Sequence, residues 1–216
     1  MKRLVAPPFV CLITSGETNP ENFEIRKRSI LNTVHDAVDD GVNLIQIREK
    51  VLPGKLLFEL SKEVVGVLEN TRALVLINDR ADVAVAAGAD GVHLPEASMS
   101  PSIVRRAFGN DLVIGVSTHS VAAAIETSES GANYLFFGPV FATPGKNNPV
   151  GLDALREVRK SVGSFPVIAL GGVDDTNAEQ VFATGIAGIA AIRALHEPDS
   201  RRAICKTAEA FNATLG

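Results

Sequence analysis

The sequence predicts an α/β fold, a single-domain (β/α)8 TIM barrel spanning residues 1–216. Three observations predict it. Eight short apolar runs rich in β-branched residues recur along the chain, separated by amphipathic stretches of helical length. Most runs are continuously apolar, as expected for parallel strands covered on both faces. Eight units in 216 residues leave 27 each, the size of a compact strand–helix unit with short loops.

The runs fall at 9–13, 42–47, 73–77, 91–94, 112–116, 134–137, 165–170 and 186–192. Helical spacing of Ile30, Leu31, Val34 and Val38 predicts a helix over 25–38. Leu57, Leu60, Val64 and Leu68 predict the next over 54–68. Shorter helices follow at 81–87 and 100–108, then helices at 120–130, 153–162, 175–183 and 199–215. Gly41, Gly88, Gly131 and Gly185 form a weak repeat, 47, 43 and 54 residues apart, each just before a strand. A glycine there stops the helix in a left-handed conformation. An open doubly wound sheet is the competitor, but the turn after the first run, Thr14-Ser15-Gly16-Glu17-Thr18-Asn19, is not G-x-G-x-x-G.

Composition excludes several classes. With 21 Lys+Arg against 25 Asp+Glu the net charge is −4, which argues against a nucleic-acid partner. At 46% hydrophobic and 21% charged residues, the chain is not a disordered one. No apolar run reaches the roughly 18–20 residues of a membrane helix. The apolar part of the N-terminus is too short for a secretory leader. Cys11 and Cys205 make neither a disulfide framework nor a zinc site and read as packing residues. A cytoplasmic protein acting on small molecules, away from membranes, is expected.

In a barrel the active site lies at the C-terminal ends of the strands, so the polar residues that end each run are the candidates. The second run ends in Gln46-Ile47-Arg48-Glu49-Lys50. Alternation puts Gln46, Arg48 and Lys50 on one side, an amide and two cations suited to a polyanion such as a diphosphate. The third ends in Asn78-Asp79-Arg80, where Asp79 can hold Mg²⁺ or either residue can cap a helix. His93, among apolar neighbours, reads as a satisfied core histidine ahead of a catalyst. Glu96, in the loop that follows, is a metal ligand or a surface charge. Ser117 and His119 share parity after the fifth run, as site residues with an acid/base histidine or as helix caps. The long 138–152 loop, rich in Gly and Pro, reads as a lid carrying Thr143 and Lys146. Gly171 and Gly172, with backbone amides near Ile192 and Arg193, fit the phosphate site of such barrels. No lysine sits within a strand as a Schiff-base enzyme needs, and G-x-S-x-G is absent.

From about residue 9 to 195 the chain resembles the family of thiamine phosphate synthase and its TenI-like relatives. The resemblance rests on segments 46–50, 77–80, 91–94, 115–120, 137–141 with Thr143 and Lys146, and 169–173. It implies a (β/α)8 barrel that joins hydroxymethylpyrimidine diphosphate to a thiazole phosphate and releases diphosphate. By resemblance, Arg48, Lys50, Asn78, Asp79 and Lys146 handle the diphosphate and Mg²⁺. Gln46 and Ser117 line the pocket, and Thr143, Gly172 and the amides near Ile192 take the thiazole phosphate.

Two departures stand out. Ser98 occupies the place of a second metal-binding Asp, and the lid reads Thr143-Pro144-Gly145-Lys146 instead of Thr-x-Thr-Lys. Both look like the TenI branch, whose members tautomerise a thiazole phosphate carboxylate with a His at the position of His119 and need no metal. The cations and Asp79 favour the synthase. A thiazole-phosphate-binding regulator and another phosphate-sugar isomerase are the remaining alternatives, and the resemblance is compatible with a homodimer.

Overall fold

Each apolar run pairs in parallel with the next, and the last returns to the first, so the sheet closes on itself. In the computed structural model, which describes residues 4, 6–143, 145 and 148–215, the order is β1 (Phe9–Ile13), α1 (Phe23–Asp39), β2 (Leu44–Ile47), α2 (Gly54–Val67), β3 (Leu74–Asn78), α3 (Ala81–Ala87), β4 (Gly91–Leu94), α4 (Pro101–Phe108), β5 (Val113–Thr118), α5 (Val121–Glu129), β6 (Tyr134–Phe137), α6 (Gly151–Ser161), β7 (Val167–Leu170), α7 (Ala178–Phe182), β8 (Gly188–Ala191), α8 (Arg193–His196) and α9 (Pro198–Leu215). Closure leaves no strand edge to protect.

Strand residues alternate between two cores. Phe9, Cys11, Ile13, Leu44, Leu74, Leu76, Tyr134, Phe136 and Ile168 fill the lumen. Val10, Leu12, Ile45, Ile47, Val75 and Ile77 face outward against Val34, Leu60 and Val64 of the surrounding helices. Each such aliphatic side chain, fully buried, contributes about 1.5–3 kcal/mol. Buried Arg201 ties α9 to the end of α1: it donates to half-buried Asp40 at 2.7 Å and to the Leu195 carbonyl at 3.2 Å.

The repeat glycines Gly41, Gly88, Gly131 and Gly185 all have positive φ, as expected. Strand ends differ from the apolar runs for local reasons. β2 starts two residues late because Val42 bonds back to Ala37, while Asn43 accepts from the Val10 amide and donates to the Pro8 carbonyl. β5 runs on through polar Ser117 and Thr118, which pair with Phe136 and Phe137. The short helix α8 has no counterpart in the sequence reading; His196 at its end donates to the Ile13 carbonyl. Both cysteines are buried, and burial pushes the Cys205 thiol up to about 12. Among the described residues, no helix is long and apolar enough to cross a membrane.

Candidate active site

The C-terminal ends of the strands gather the polar residues in one place. On the lumen side, β2 contributes Gln46, β3 Asn78, β4 His93 and β5 Ser117. Gln46 is 2% exposed, and its side-chain amide nitrogen has no hydrogen-bond partner among the described residues. A buried donor left unmade is costly, so this amide is built for a ligand or an ordered water. His93 is held on both ring nitrogens, by the Tyr134 hydroxyl at 3.0 Å and the Ser117 hydroxyl at 2.8 Å. Full burial depresses its pKa to about 3, so it stays neutral. It is a satisfied core histidine, as its apolar neighbours in sequence indicate.

Two cations follow the end of β2. Arg48 leaves β2 with its amide bonded to the Thr14 hydroxyl at 2.8 Å. Its guanidinium lies along the first β–α turn, where a Cβ added to Gly16 would come within 3.4 Å of it. Lys50 is exposed and lines a cleft of about 300 Å³ with Asn78, Asp79, Arg80 and Pro95. Glu49, between the two cations, lines the same cleft, because the strand ends at Ile47 and Lys50 sits in a turn, so strict alternation does not carry through to Lys50. Its buried carboxylate accepts the amides of Gly16 at 3.1 Å and Thr18 at 2.9 Å, pinning the first loop to the second.

Asp79 does not cap α3. The cap position belongs to Arg80, whose guanidinium pairs with Asp82. Instead Asp79 adopts φ 59°, the only non-glycine residue with positive φ among the described residues, and stays exposed at the cleft. A strained backbone held at a pocket points to function. Its carboxylate accepts a hydrogen bond from the Ser98 hydroxyl in the loop after β4. Glu96 is exposed in the same loop. Among the described residues no three His, Cys, Asp or Glu side chains form a metal-holding group.

Helix capping after β5 falls to Ser120, which accepts from the Ala123 amide at 3.2 Å, so neither Ser117 nor His119 is consumed by it. The exposed His119 donates from Nδ1 to the Gly138 carbonyl, and Nε2 has no partner among the described residues. The loop between β6 and α6 is pinched at its root. Val140 and Phe141 donate to the Leu170 and Gly171 carbonyls, and Val150 and Gly151 donate back to Pro139 and Val140. Gly171 and Gly172 must be glycine here. Their φ values are 99° and 67°, and a Cβ would come within 2.6 Å of Pro139 and 2.7 Å of Phe141. Thr143 is half-buried just beyond the root; Lys146 lies outside the described residues. Ile192 is the cap residue before α8, and Arg193 is exposed on its first turn.

Three residues escaped the sequence reading. Tyr134 looked like one more strand aromatic. Glu49 was passed over between two cations. Thr14 had no distinguishing signal.

A closed barrel whose strand ends carry cations, an acid and a glycine pair is a phosphate-handling (β/α)8 enzyme scaffold. The chain belongs to the thiamine monophosphate synthase family, which it matches over residues 10–195. A thiamine-phosphate synthase of Clostridium novyi is 38% identical over 183 residues, covering 83% of this chain and 89% of that protein. One from Clostridium botulinum is 38% identical over 178 residues, covering 81% and 86%. The thiamine phosphate pyrophosphorylase structure from Pyrococcus furiosus superposes with a TM-score of 0.82 at 31% identity, covering 94% of this chain and 96% of that one.

Proposed function

We propose that the protein makes thiamine phosphate, joining hydroxymethylpyrimidine diphosphate to a thiazole phosphate with release of diphosphate. The observation that carries the reading is the amide of buried Gln46, unpartnered among the described residues, at the end of β2, with Arg48 and Lys50 following it and Asn78 and Asp79 at the end of the neighbouring β3. A planar ring with polar edges fits above the amide, and a polyanion fits the cations. The similarity to thiamine-phosphate synthases supports the same reading.

The chemistry needs no protein nucleophile. Breaking the bond from the pyrimidine methylene to oxygen builds negative charge on the departing diphosphate and positive charge on carbon. Arg48, Lys50 and Lys146 stabilise the first by fixed charge. The pyrimidine ring stabilises the second until the thiazole nitrogen attacks. Gly171, Gly172, Thr143 and the amides near Ile192 and Arg193 take the thiazole phosphate and hold its nitrogen toward the methylene.

Asp79 and its neighbours fit Mg²⁺ brought in with the substrate. Mg²⁺ binds through one or two carboxylates, several waters and substrate phosphates, not an all-protein cage. Asp79 would hold it, with the Ser98 hydroxyl beside it and Glu96 in the same loop. When bound, the ion neutralises charge on the leaving diphosphate.

His119 belongs to a second reading, an isomerase moving a proton on a thiazole phosphate carboxylate without metal. Its Nε2, unpartnered among the described residues, is the observation that favours it. The two readings separate on one assay. Thiamine phosphate formed together with one diphosphate per turnover supports the synthase; folded protein that yields neither contradicts it.

A further inference from the structure

The lumen holds a polar chain that the chemistry above does not use. Tyr134 on β6 is fully buried, and its hydroxyl meets His93 Nδ1 at 3.0 Å. His93 on β4, 2% exposed, meets Ser117 on β5 at 2.8 Å through Nε2. Ser117 alone of the three reaches the mouth, half-buried. Three other features fix the chain in place. Phe136 lies under the imidazole, ring centroids 4.1 Å apart. Tyr134 passes over Gly115, where a Cβ would come within 2.0 Å of its ring. The neighbouring lumen residues Cys11 and Leu76 are apolar or weakly polar and buried.

The proton positions follow from counting donors and acceptors. The Tyr134 hydroxyl has one hydrogen-bond partner among the described residues, His93 Nδ1. If Nδ1 donated, the phenolic proton would be buried without an acceptor, a costly arrangement. Tyr134 therefore donates, and Nδ1 accepts. A neutral imidazole then carries its proton on Nε2 and donates it to the Ser117 oxygen. The serine proton cannot turn back to the ring, so it points to the mouth.

We propose that Tyr134 and His93 are positioning residues that fix Ser117 as a hydrogen-bond donor at the lumen mouth, so that the substrate atom facing Ser117 is an acceptor such as an unprotonated aromatic ring nitrogen. The identity of that substrate rests on the synthase reading; the direction of the relay does not. The relay discriminates against rings that present an N–H at this point, because two donors would then face each other.

Two measurements test it. In ¹⁵N-histidine-labelled protein at pH 7 without substrate, with His93→Gln used for assignment, Nε2 of His93 is protonated and Nδ1 is not. The opposite tautomer overturns the proposal. For turnover, Ser117→Ala and His93→Leu each lower kcat/KM about tenfold, and the double variant falls no further than Ser117→Ala alone. His93→Gln, whose amide can donate in place of Nε2–H, recovers most of the loss while His93→Leu does not. Fully multiplicative losses, or no recovery with Gln, overturn the relay. Wild-type protein without synthase turnover counts against the substrate reading, and the tautomer measurement then decides the relay.

Discussion

The hydroxyl of Ser98 donates to the carboxylate of Asp79, linking the loop after β4 to the end of β3. The loop that carries Ser98 thus delivers residue 98 to the acid proposed to hold Mg²⁺, even though a neutral side chain stands there. Ser98→Asp would place a second carboxylate beside the first. Two adjacent carboxylates repel until a cation bridges them. The variant is expected to reach half-maximal rate at about tenfold less Mg²⁺. A Mg²⁺ titration of turnover checks it, and an unchanged midpoint would place the metal elsewhere.

In the proposed reaction, Arg48 and Lys146 supply charge to the leaving diphosphate. Arg48→Ala and Lys146→Ala are each expected to lower kcat by about 10²–10³, the usual loss when a group stabilising developing charge is removed. Steady-state kinetics with saturating thiazole phosphate measure it. Rates near wild type would remove these residues from the diphosphate site.

Glu49 holds the first loop through the amides of Gly16 and Thr18. Glu49→Ala leaves two donors without their acceptor and is expected to cost about 1–3 kcal/mol of stability. Because Gly16 packs against Arg48, KM for the pyrimidine diphosphate should rise as well. Faster amide exchange at Gly16 and Thr18, with Glu49→Gln milder than Glu49→Ala, is the signature. Unchanged exchange would show that the loop is held otherwise.

His93 links stability to pH. Its folded-state pKa is depressed to about 3 from 6.5 by burial. The unfolded chain binds a proton below about pH 6.5 that the native state refuses, so this residue's contribution is complete above 6.5 and falls as pH drops toward 3. The slope is about 1.4 kcal/mol per pH unit in that window. Denaturant unfolding of wild type and His93→Gln between pH 4 and 7 should show the difference in slope; equal slopes would mean that His93 takes up a proton in the native state.

The barrel was legible because its signals are local and repeated. Continuous apolar runs can bury both faces only in a parallel sheet, and Gly41, Gly88, Gly131 and Gly185 stop helices wherever they occur. Strand ends were less legible where a polar side chain replaces ladder bonds, as Asn43 does. The candidate site was legible as a row of strand-end polar residues, since barrel topology brings those ends together whatever their spacing. What the sequence could not resolve were competing uses of one side chain. The cap alternatives for Asp79 and Ser117 fell away only when Arg80 and Ser120 proved to hold the cap positions. The Tyr134–His93–Ser117 chain depends on register between three strands, which no linear pattern encodes.

In the proposed reaction the charged mouth drives departure of diphosphate. The most direct measurement is diphosphate release, with thiamine phosphate followed by chromatography, from purified protein given both substrates and Mg²⁺, with and without EDTA. Equal amounts of the two products are expected, abolished by EDTA and cut by about 10² in Arg48→Ala. Folded protein that binds thiazole phosphate yet releases no diphosphate would contradict the proposed reaction and turn attention to His119.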